Sequence, residues 1–239
     1  MDLAAAYASC RLCGREDLPP VSVDGRRSRS FHLCHDCGLI SVPDRCRLNI
    51  ADESARYALH DNTLSNQGYV DFLNEVAEAA VSVASEMPRR RLSAGGTVEP
   101  PVKLLDFGCG KNAVLCRLLE RRGMECCPYD PLYEELRLPE IADKYDIIAA
   151  CEVVEHLRDL AGELRFMRGL LRDGGAIIIR TRLYDDVDIG AGASDFKNWW
   201  YAQDPTHINF FGRKSLDTVA SIFDKRIEET GYGDIFVFR

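Results

Sequence analysis

The chain has 239 residues, of which 46% are hydrophobic and 28% charged, with a formal net charge of -8. This content is enough for one folded core with a small appendage, or for two unequal domains. No apolar run approaches the ~18 residues of a membrane helix, and no secretion signal opens the chain, so we expect a cytoplasmic protein with no membrane partner. The negative charge disfavours broad binding of nucleic acid, although Arg26-Arg27-Ser28-Arg29 offers one local basic patch.

Residues 1–47 hold five of the ten cysteines, four of them in the pairs Cys10-x2-Cys13 and Cys34-x2-Cys37. This spacing is typical of a ribbon-type zinc site, and metal binding explains the cysteines better than disulfides in a chain without a secretion signal. A glycine follows each pair, where it lets backbone amides turn toward the sulfurs. We therefore predict a small module with a structural Zn²⁺ on four thiolates, with His32, His35 and Cys46 as spare ligands.

Apolar residues at helical spacing predict a one-sided helix over residues 68–86, followed by a linker rich in proline, arginine and glycine up to residue 101. Strands and helices then alternate, which predicts a parallel sheet covered by helices on both faces. The predicted strands are 102–107, 124–129, 145–151 and 176–180, and the helices between them are 113–122 and 160–171. A last helix over 216–223 precedes a terminal hairpin over 226–238.

A glycine turn joins the first of these strands to the next helix. Gly108-x-Gly110-x-x-Ala113 fits the fingerprint of dinucleotide-binding folds, in which backbone amides approach a pyrophosphate. Asp106 precedes the turn, however, where a carboxylate repels an anion and suits a cation such as the ammonium or sulfonium of S-adenosylmethionine. Asp130 ends the next strand, where it can accept both ribose hydroxyls of either ligand. These residues alone leave both cofactors open.

The wider pattern resembles the class I S-adenosylmethionine-dependent methyltransferases. The similar segments are LLDFGCG, YDP, YDIIAACEVVEHL and LLRDGGAIII, spread over residues 100–239. The chain is most similar to a bacterial group of small-molecule enzymes with a cysteine-pair ribbon in front and a W-Y-x-x-D-P-T-H segment behind. The resemblance implies an α/β Rossmann-like sheet with a terminal antiparallel hairpin, and three segments: a zinc-ribbon module (1–47), a helical lid and linker (48–99) and an S-adenosylmethionine-binding domain (100–239).

The resemblance also implies which residues contact the cofactor. The expected set is Asp106, Phe107, Gly108, Cys109, Gly110, Asp130, Pro131, Cys151 and Glu152. Two features depart from the family pattern. Asn112 stands where a third glycine is frequent, and the short stretch between Asp130 and Tyr145 predicts an abbreviated third strand.

Three patches are candidates for the substrate side. Tyr57 and His60 precede the first long helix and are expected either to fold over the cofactor or to form an exposed linker. The aromatic run Trp199-Trp200-Tyr201 is expected to form either a stacking wall for substrate or a satellite core. The candidate catalytic residues are Glu155 and His156, at the carboxyl edge of the sheet, and His207, in the segment DPTHINFF.

His207 is the candidate general base, because a histidine can accept a proton near neutral pH and Asp204 could orient its ring. The alternatives are that it pins the insertion to the core or contacts the cofactor.

Four functions compete. We expect a methyltransferase acting on a small molecule such as a sugar, a quinone-like ring or a natural-product intermediate. The alternatives are methylation of ribosomal or transfer RNA, a non-catalytic module that binds a protein partner, and a nicotinamide-dependent oxidoreductase. The motifs leave open whether O, N or C is methylated, and they leave the oligomeric state open.

Overall fold

The computed structural model describes residues 9–16, 29–59, 61–87, 101–133, 144–185, 196 and 198–239. His60, Arg26, Arg27, almost all of the predicted linker and most of the stretch before Tyr145 lie outside these residues. None of the helices in the described part of the chain combines the length and the apolar character needed to cross a bilayer.

The described residues contain nine strands and six α-helices. The strands are β1 (His32–Leu33), β2 (Ile40–Ser41), β3 (Lys103–Phe107), β4 (Glu125–Tyr129), β5 (Tyr145–Cys151), β6 (Leu171–Arg180), β7 (Asn209–Phe210), β8 (Ile227–Glu229) and β9 (Ile235–Phe238). The helices are α1 (Ile50–Tyr57), α2 (Gln67–Glu86), α3 (Val114–Glu120), α4 (Leu160–Leu170), α5 (Trp200–Gln203) and α6 (Arg213–Phe223).

Contacts divide the chain into two compact units. The first comprises Met1–Leu59, Val154–Arg165 and Thr181–Lys225, and the second comprises His60–Val153, Phe166–Arg180 and Arg226–Arg239. This division differs from the boundaries expected from sequence, since the cysteine pairs share a unit with the segment that carries His207.

The second unit contains a six-stranded mixed sheet with the order β4-β3-β5-β6-β9-β8. The first four strands are parallel, and β9 pairs antiparallel with both β6 and β8. The predicted α/β Rossmann-like sheet with a terminal hairpin is therefore confirmed. The apolar faces of α2 and α3 bury the sheet through a core that includes Leu73, Val76, Ala80, Leu104, Leu115, Leu119, Ile147 and Ile178.

Strand β6 begins earlier than expected from the sequence. We predicted a helix to Leu171 and a strand from Ala176, whereas α4 ends at Leu170 and β6 starts at Leu171. Leu171 pairs with Tyr145, and the register then shifts so that Ile147 pairs with Ala176. Gly174 adopts a φ of 74°, which allows this irregular stretch to stay in the strand.

The first unit holds a three-stranded sheet with the order β1-β2-β7. The pairing of β2 with β7 joins the cysteine-rich segment to residues that follow it by some 170 positions in the chain. Aromatic and aliphatic side chains from both segments form one core of Phe31, Ile40, Val42, Tyr184, Phe196, Tyr201, Ala202, Ile208 and Phe210. A small ribbon buries too little apolar surface alone, so this shared core contributes to its stability.

Cys116 and Cys126 form a disulfide that connects α3 to β4. This finding corrects the expectation that metal binding, and not disulfide formation, accounts for the cysteines. Periodicity and spacing could not predict the bond, because it depends on α3 packing against the strand that follows it.

Arg180, at the end of β6, is the centre of a buried ionic cluster in the second unit. Its guanidinium contacts the Asp234 carboxylate at 3.1 Å and the Glu75 carboxylate at 2.6 Å, and it donates to the Phe72 carbonyl. The guanidinium carbon also lies 3.5 Å from the centroid of the Phe72 ring. These contacts connect α2 to the terminal hairpin, and they compensate a charge that is almost fully buried.

We expect Arg180→Met to lower the free energy of unfolding by about 3–5 kcal/mol, because it leaves the buried Asp234 carboxylate without its cationic partner. Arg239→Met is the matched control, since Arg239 also contacts two carboxylates, Glu86 and Glu228, but in exposed pairs. The control should cost less than about 1 kcal/mol. Urea denaturation measures both. Equal losses in the two variants would contradict a special role for Arg180.

Candidate functional site

The carboxyl ends of three parallel strands meet at one edge of the six-stranded sheet. Strand β3 lies between β4 and β5, so Phe107 pairs with Tyr129 and the ends of all three strands are neighbours. The amides of Gly108 and Cys109 both donate to the Tyr129 carbonyl, at 2.7 and 3.1 Å. The turn after β3 is thereby fixed to the end of β4. Ligands of open α/β sheets bind at such an edge.

The turn requires glycine at its first position. Gly108 has a φ of 77°, and a Cβ added there would lie 2.5 Å from Cγ2 of Val153. Gly110 also has a positive φ, of 65°, but nothing lies within 4 Å of its added Cβ. The open space above Gly110 leaves room for a ligand to approach the backbone closely.

Asp130 follows β4 and orders the same turn. Its Oδ2 accepts from the Gly110 amide at 3.0 Å, and its Oδ1 accepts from the Leu132 amide at 2.9 Å. Burial raises the pKa of this carboxyl, whereas the two amides lower it. Each carboxylate oxygen has a second lone pair, so Asp130 can still accept ligand hydroxyls. The neighbouring Pro131 is exposed.

Asp106 is buried in β3, only 2% exposed, and its Oδ2 has no hydrogen-bond partner within the described residues. Burial and the charge of Asp130 raise the pKa of Asp106 to about 7, although the Cys116 amide opposes the shift. A buried carboxylate oxygen without a donor is costly, and a cationic ligand would compensate it. Burial, with the charges of Asp106 and Asp130, also raises the pKa of the Cys109 thiol, which therefore stays protonated.

Aromatic side chains lie beside the turn. The ring centroid of Phe107 is 4.9 Å from that of Tyr129, and both rings pack near the partly exposed Phe166 of α4. Tyr69 of α2 is close as well, since burial and the nearby Cys151, Asp106 and Cys109 raise its phenol pKa. In the sequence, Tyr69 is one of the apolar residues whose helical spacing predicts the helix over residues 68–86. Its hydroxyl group is the one feature that distinguishes it from the aliphatic residues of that face.

The departure at Asn112 has a structural consequence. Its side-chain amide donates to the Asn62 carbonyl at 2.8 Å, so the segment before α2 is attached to the glycine turn. Glu152, which follows β5, has a φ of 53°, and its amide donates to the Arg180 carbonyl at 2.9 Å. A non-glycine residue in this conformation is strained, and such strain is concentrated at functional sites. Cys151 ends β5 and is half-buried.

The four predicted zinc ligands lie together in the first unit, with all sulfurs within 4.8 Å of one another. Cys10 and Cys37 are 3.5 Å apart at their sulfurs, and Cys13 and Cys34 are 3.6 Å apart. Four thiolates around one Zn²⁺ are spaced by ~3.8 Å, as follows from Zn–S bonds of ~2.3 Å. The two turns match, because the amide of the glycine after each pair donates to the carbonyl of the pair's first cysteine. The donor set therefore fits zinc.

The three candidate catalytic side chains also lie together in the first unit. Glu155, His156 and His207 offer ligand atoms within 4.8 Å of one another. The rings of His156 and His207 are 4.7 Å apart at their centroids. Burial and the adjacent His156 lower the pKa of His207 to about 3, so its ring is neutral but a weak base. Its role as a general base remains a prediction.

The predicted substrate residues occupy different environments in this unit. Tyr201 is fully buried in the aromatic core, and Trp199 packs against that core, whereas Trp200 is 62% exposed. Tyr57 ends α1 and its ring lies 5.4 Å from that of His156. A cleft of about 620 Å³ is lined by Arg56, Trp200, Gln203, Asp204 and Pro205. The aromatic run thus contributes both to packing and to an exposed surface.

Arg29 does not contribute to a basic patch. Its guanidinium donates to the backbone carbonyls of Ala202, Asp204, Pro205 and His207. Burial lowers the pKa of Arg29 to about 10, and the charge of Asp204 opposes that shift. Arg29 is the one arginine of the expected patch Arg26-Arg27-Ser28-Arg29 that the structure describes. It bonds to the loop that precedes His207 and is therefore not available to a basic patch.

A Rossmann-like sheet with a glycine turn, a buried acid before it and a second acid after the next strand is the arrangement in which such folds bind nucleoside-type cofactors. The family model described as "Methyltransferase domain" matches residues 76–224, more than half of the chain. The chain therefore belongs to this methyltransferase domain family.

Among characterised proteins, the ubiquinone biosynthesis O-methyltransferase of Aeromonas salmonicida (strain A449) is 30% identical over 33% of this chain, and the match spans 42% of that relative. Among solved structures, the plantazolicin methyltransferase BpumL in complex with SAH aligns with a TM-score of 0.50 at 12% identity, over 79% of this chain and 89% of that one. Magnesium protoporphyrin IX methyltransferase from Synechocystis PCC 6803 aligns with a TM-score of 0.48 at 14% identity, over 79% and 92%. The likeness to BpumL shows a shared fold.

We expect Gly108→Ala to destabilise the protein more than Gly123→Ala, its matched control. Both glycines have a positive φ, but nothing lies within 4 Å of a Cβ added at Gly123. The control should cost only the backbone strain, about 1–2 kcal/mol. Gly108→Ala should cost a further 1–3 kcal/mol, roughly, from overlap with Val153. Thermal unfolding measures the difference, and equal shifts would show that Val153 moves aside freely.

Proposed function

We propose that this protein is an S-adenosylmethionine-dependent methyltransferase that acts on a small molecule. The buried Asp106 carboxylate before the glycine turn carries the proposal. A dinucleotide would place a pyrophosphate near this anion, whereas S-adenosylmethionine brings an ammonium and a sulfonium. When bound, that cofactor supplies a methyl group on a cationic sulfur, which a nucleophile can displace with a neutral leaving group.

Each predicted cofactor residue then has a role that follows from its position. Asp106 would accept from the ammonium, and Asp130 would accept from the ribose hydroxyls through its remaining lone pairs. Gly108 and Gly110 keep the backbone open toward the methionine portion, with Phe107 and Cys109 completing the turn. Pro131, Cys151 and Glu152 would border the adenosine. Alignment of the two reactants can lower the barrier by about 7–11 kcal/mol, so a strong base is not a general requirement.

A small-molecule acceptor is supported by the cleft in the first unit. An exposed tryptophan and the Arg56 guanidinium, which contacts Asp204 at 3.1 Å, offer a stacking surface and a charged group. The similarity to an O-methyltransferase of ubiquinone biosynthesis favours an oxygen acceptor on a ring among the classes considered. The engagement of Arg29 with backbone carbonyls weighs against RNA, which requires free cationic side chains.

We also propose that Cys10, Cys13, Cys34 and Cys37 bind one structural Zn²⁺. The four sulfurs leave no coordination position for a substrate, so the ion would act through folding alone. Arg11, in the first cysteine turn, donates to the Ile208 carbonyl and to the Asn209 side chain. The proposed ion would thereby stabilise the segment that carries His207.

The first experiment is calorimetry with S-adenosylmethionine, S-adenosylhomocysteine and NAD. We expect the first two to bind and NAD not to bind. Asp106→Asn should weaken binding by roughly 10- to 150-fold, the equivalent of one hydrogen bond to a charged group. Because the pKa of Asp106 is about 7 without ligand, wild-type affinity should rise between about pH 5.5 and pH 8, as the carboxyl loses its proton. The variant should lack this rise. Asp173→Asn, an exposed acid in the same unit, is the control.

The ionisable groups around Asp106 are Asp130, Tyr69 and Cys109, and burial raises the pKa of each. The pKa of Asp106 is raised on folding, so its contribution to stability is present at low pH and is lost as pH rises from about 4 to 7. Between about pH 5.5 and pH 7, cofactor binding should therefore strengthen while this contribution to stability is lost. Transfer of a labelled methyl group to metabolites of low mass, but not to RNA, would complete the test. Tight NAD binding or label in RNA would overturn the proposal.

For zinc, we expect one ion per chain that is released when a mercurial reagent blocks the thiols. Cys34→Ser should lose this ion and destabilise the protein, because a structural zinc site can contribute on the order of 10 kcal/mol to folding. Cys46→Ser is the matched control, a half-buried cysteine of the same unit outside the four-sulfur cluster. Zinc released from wild type and Cys34→Ser in equal amounts would contradict the site.

A further inference from the structure

A second cluster of ligand-type side chains lies in the first unit, apart from the four cysteines. Glu155 and His156 belong to a short 3-10 turn, Val154–His156, and His207 lies two residues before β7. Their ligand atoms lie within 4.8 Å of one another. The two segments are held together by backbone, because the Ile208 amide donates to the Glu155 carbonyl at 2.8 Å. The side chain of Asn209 adds bonds to the carbonyls of Val154 and Leu157.

Hydrogen bonds fix the tautomer of both imidazoles. Nδ1 of His207 lies 2.8 Å from the Tyr201 carbonyl, and Nδ1 of His156 lies 3.0 Å from the Thr206 carbonyl. A carbonyl oxygen can only accept, so each Nδ1 carries the proton. In the neutral rings, the lone pair is therefore on Nε2. Histidines that bind metals show this arrangement, in which the second ring nitrogen donates to a carbonyl or carboxylate.

Glu155 brings a carboxyl group to the same place. Its side chain is fully buried, its Oε2 accepts from the Thr181 hydroxyl at 3.2 Å, and its Oε1 lies 3.8 Å from Nε2 of His156. Bringing a carboxylate out of water is expensive, and a bound cation offsets that cost. The nearby charges are Asp204, which favours a cation, and Arg29, which opposes one but bonds to backbone carbonyls.

We propose that Glu155, His156 and His207 bind a divalent first-row transition metal ion, and that its open coordination positions take an oxygen ligand. Two imidazoles and one carboxylate leave such positions free, and imidazole favours ions such as Zn²⁺, Fe²⁺ or Co²⁺ over Mg²⁺. Bonds of ~2.1 Å require the ligand atoms to approach within ~3–4 Å. A bound ion would draw the ligand atoms together through small rotations within the present rotamers. Metal binding here does not depend on the proposed methyltransferase function.

The surroundings hold the cluster in place. The Tyr201 ring lies 4.1 Å from that of His207, and the Tyr57 ring lies 5.4 Å from that of His156. Arg29 donates to backbone carbonyls of the loop that runs from Tyr201 to His207, including the carbonyl of His207 itself. This packing limits the rotamers of both histidines, which is the property that a preorganised metal site needs.

The test uses Co²⁺ as the probe, added without oxygen to the 239-residue chain after it has been loaded with one equivalent of Zn²⁺. We expect one equivalent of Co²⁺ to bind wild type, with a visible absorption band and no sulfur-to-cobalt charge-transfer band. His156→Ala and His207→Ala should each weaken Co²⁺ binding by more than about 100-fold, beyond the effect of losing an outer-shell partner. Asp217→Asn, which changes an exposed carboxylate of the same unit outside both clusters, should bind Co²⁺ as wild type does.

Circular dichroism and retained zinc show whether each variant folds. If His207→Ala does not, the partly exposed His156→Ala decides alone. Addition of catechol should shift the cobalt band, because an oxygen ligand enters the open positions. The site is overturned if wild type takes up no Co²⁺, or if folded His156→Ala binds as wild type does. An unchanged band with catechol overturns oxygen coordination. S-adenosylmethionine affinity, measured separately, tests the methyltransferase function independently of the metal.

Discussion

The parallel pairing of β3 with β4 on one side and β5 on the other is the constraint on which the candidate cofactor site depends. Parallel strands place all their carboxyl ends at one edge, so residues far apart in the chain become neighbours without any loop being specially shaped. Because Gly108 and Cys109 bond to the carbonyl of Tyr129, the turn after β3 follows the end of β4. The apolar core beneath the sheet keeps these strands together. The packed sheet also keeps the carboxyl group of Asp106, in β3, away from water.

Burial of Asp106 has an energetic cost that the free protein bears. Its raised pKa means that part of the population holds a neutral acid near pH 7, whereas a cationic ligand would favour the ionised form. A site of this kind is more stable with its ligand than without it. Strain at Glu152 is a second cost at this edge of the sheet. Both features support the proposal that a cofactor binds there.

The first unit is stabilised in a different way. A ribbon of two short hairpin turns has almost no core, and here it shares one with the segment of residues 181–225 through the pairing of β2 with β7. Two arginines strengthen this connection. Arg11 bonds to β7, and Arg29 bonds to the loop before His207, so the histidine's position depends on residues near the N-terminus. The cysteine cluster thus supports the candidate catalytic segment, besides any stability that it gives to its own turns.

Much of this architecture could be predicted from the sequence because it depends on local patterns. Apolar periodicity predicts the strands and helices, glycines predict the turns that only glycine can adopt, and the paired cysteines predict a common ligand set. The same patterns could not place Tyr69, whose hydroxyl lies near the glycine turn after β3. They also could not predict the Cys116–Cys126 disulfide or the early start of β6.

Only the tertiary structure decided these features, because they depend on which element packs against which. The fold also engages Arg29 with backbone carbonyls, so that it does not form the expected basic patch. It buries Tyr201 and leaves Trp200 exposed. Above all, it brought Glu155 and His156 together with His207, across the 50 positions between His156 and His207, through a backbone hydrogen bond. Sequence spacing carries no information about such a contact. The two hydrogen bonds that orient the imidazoles likewise form only in the folded chain.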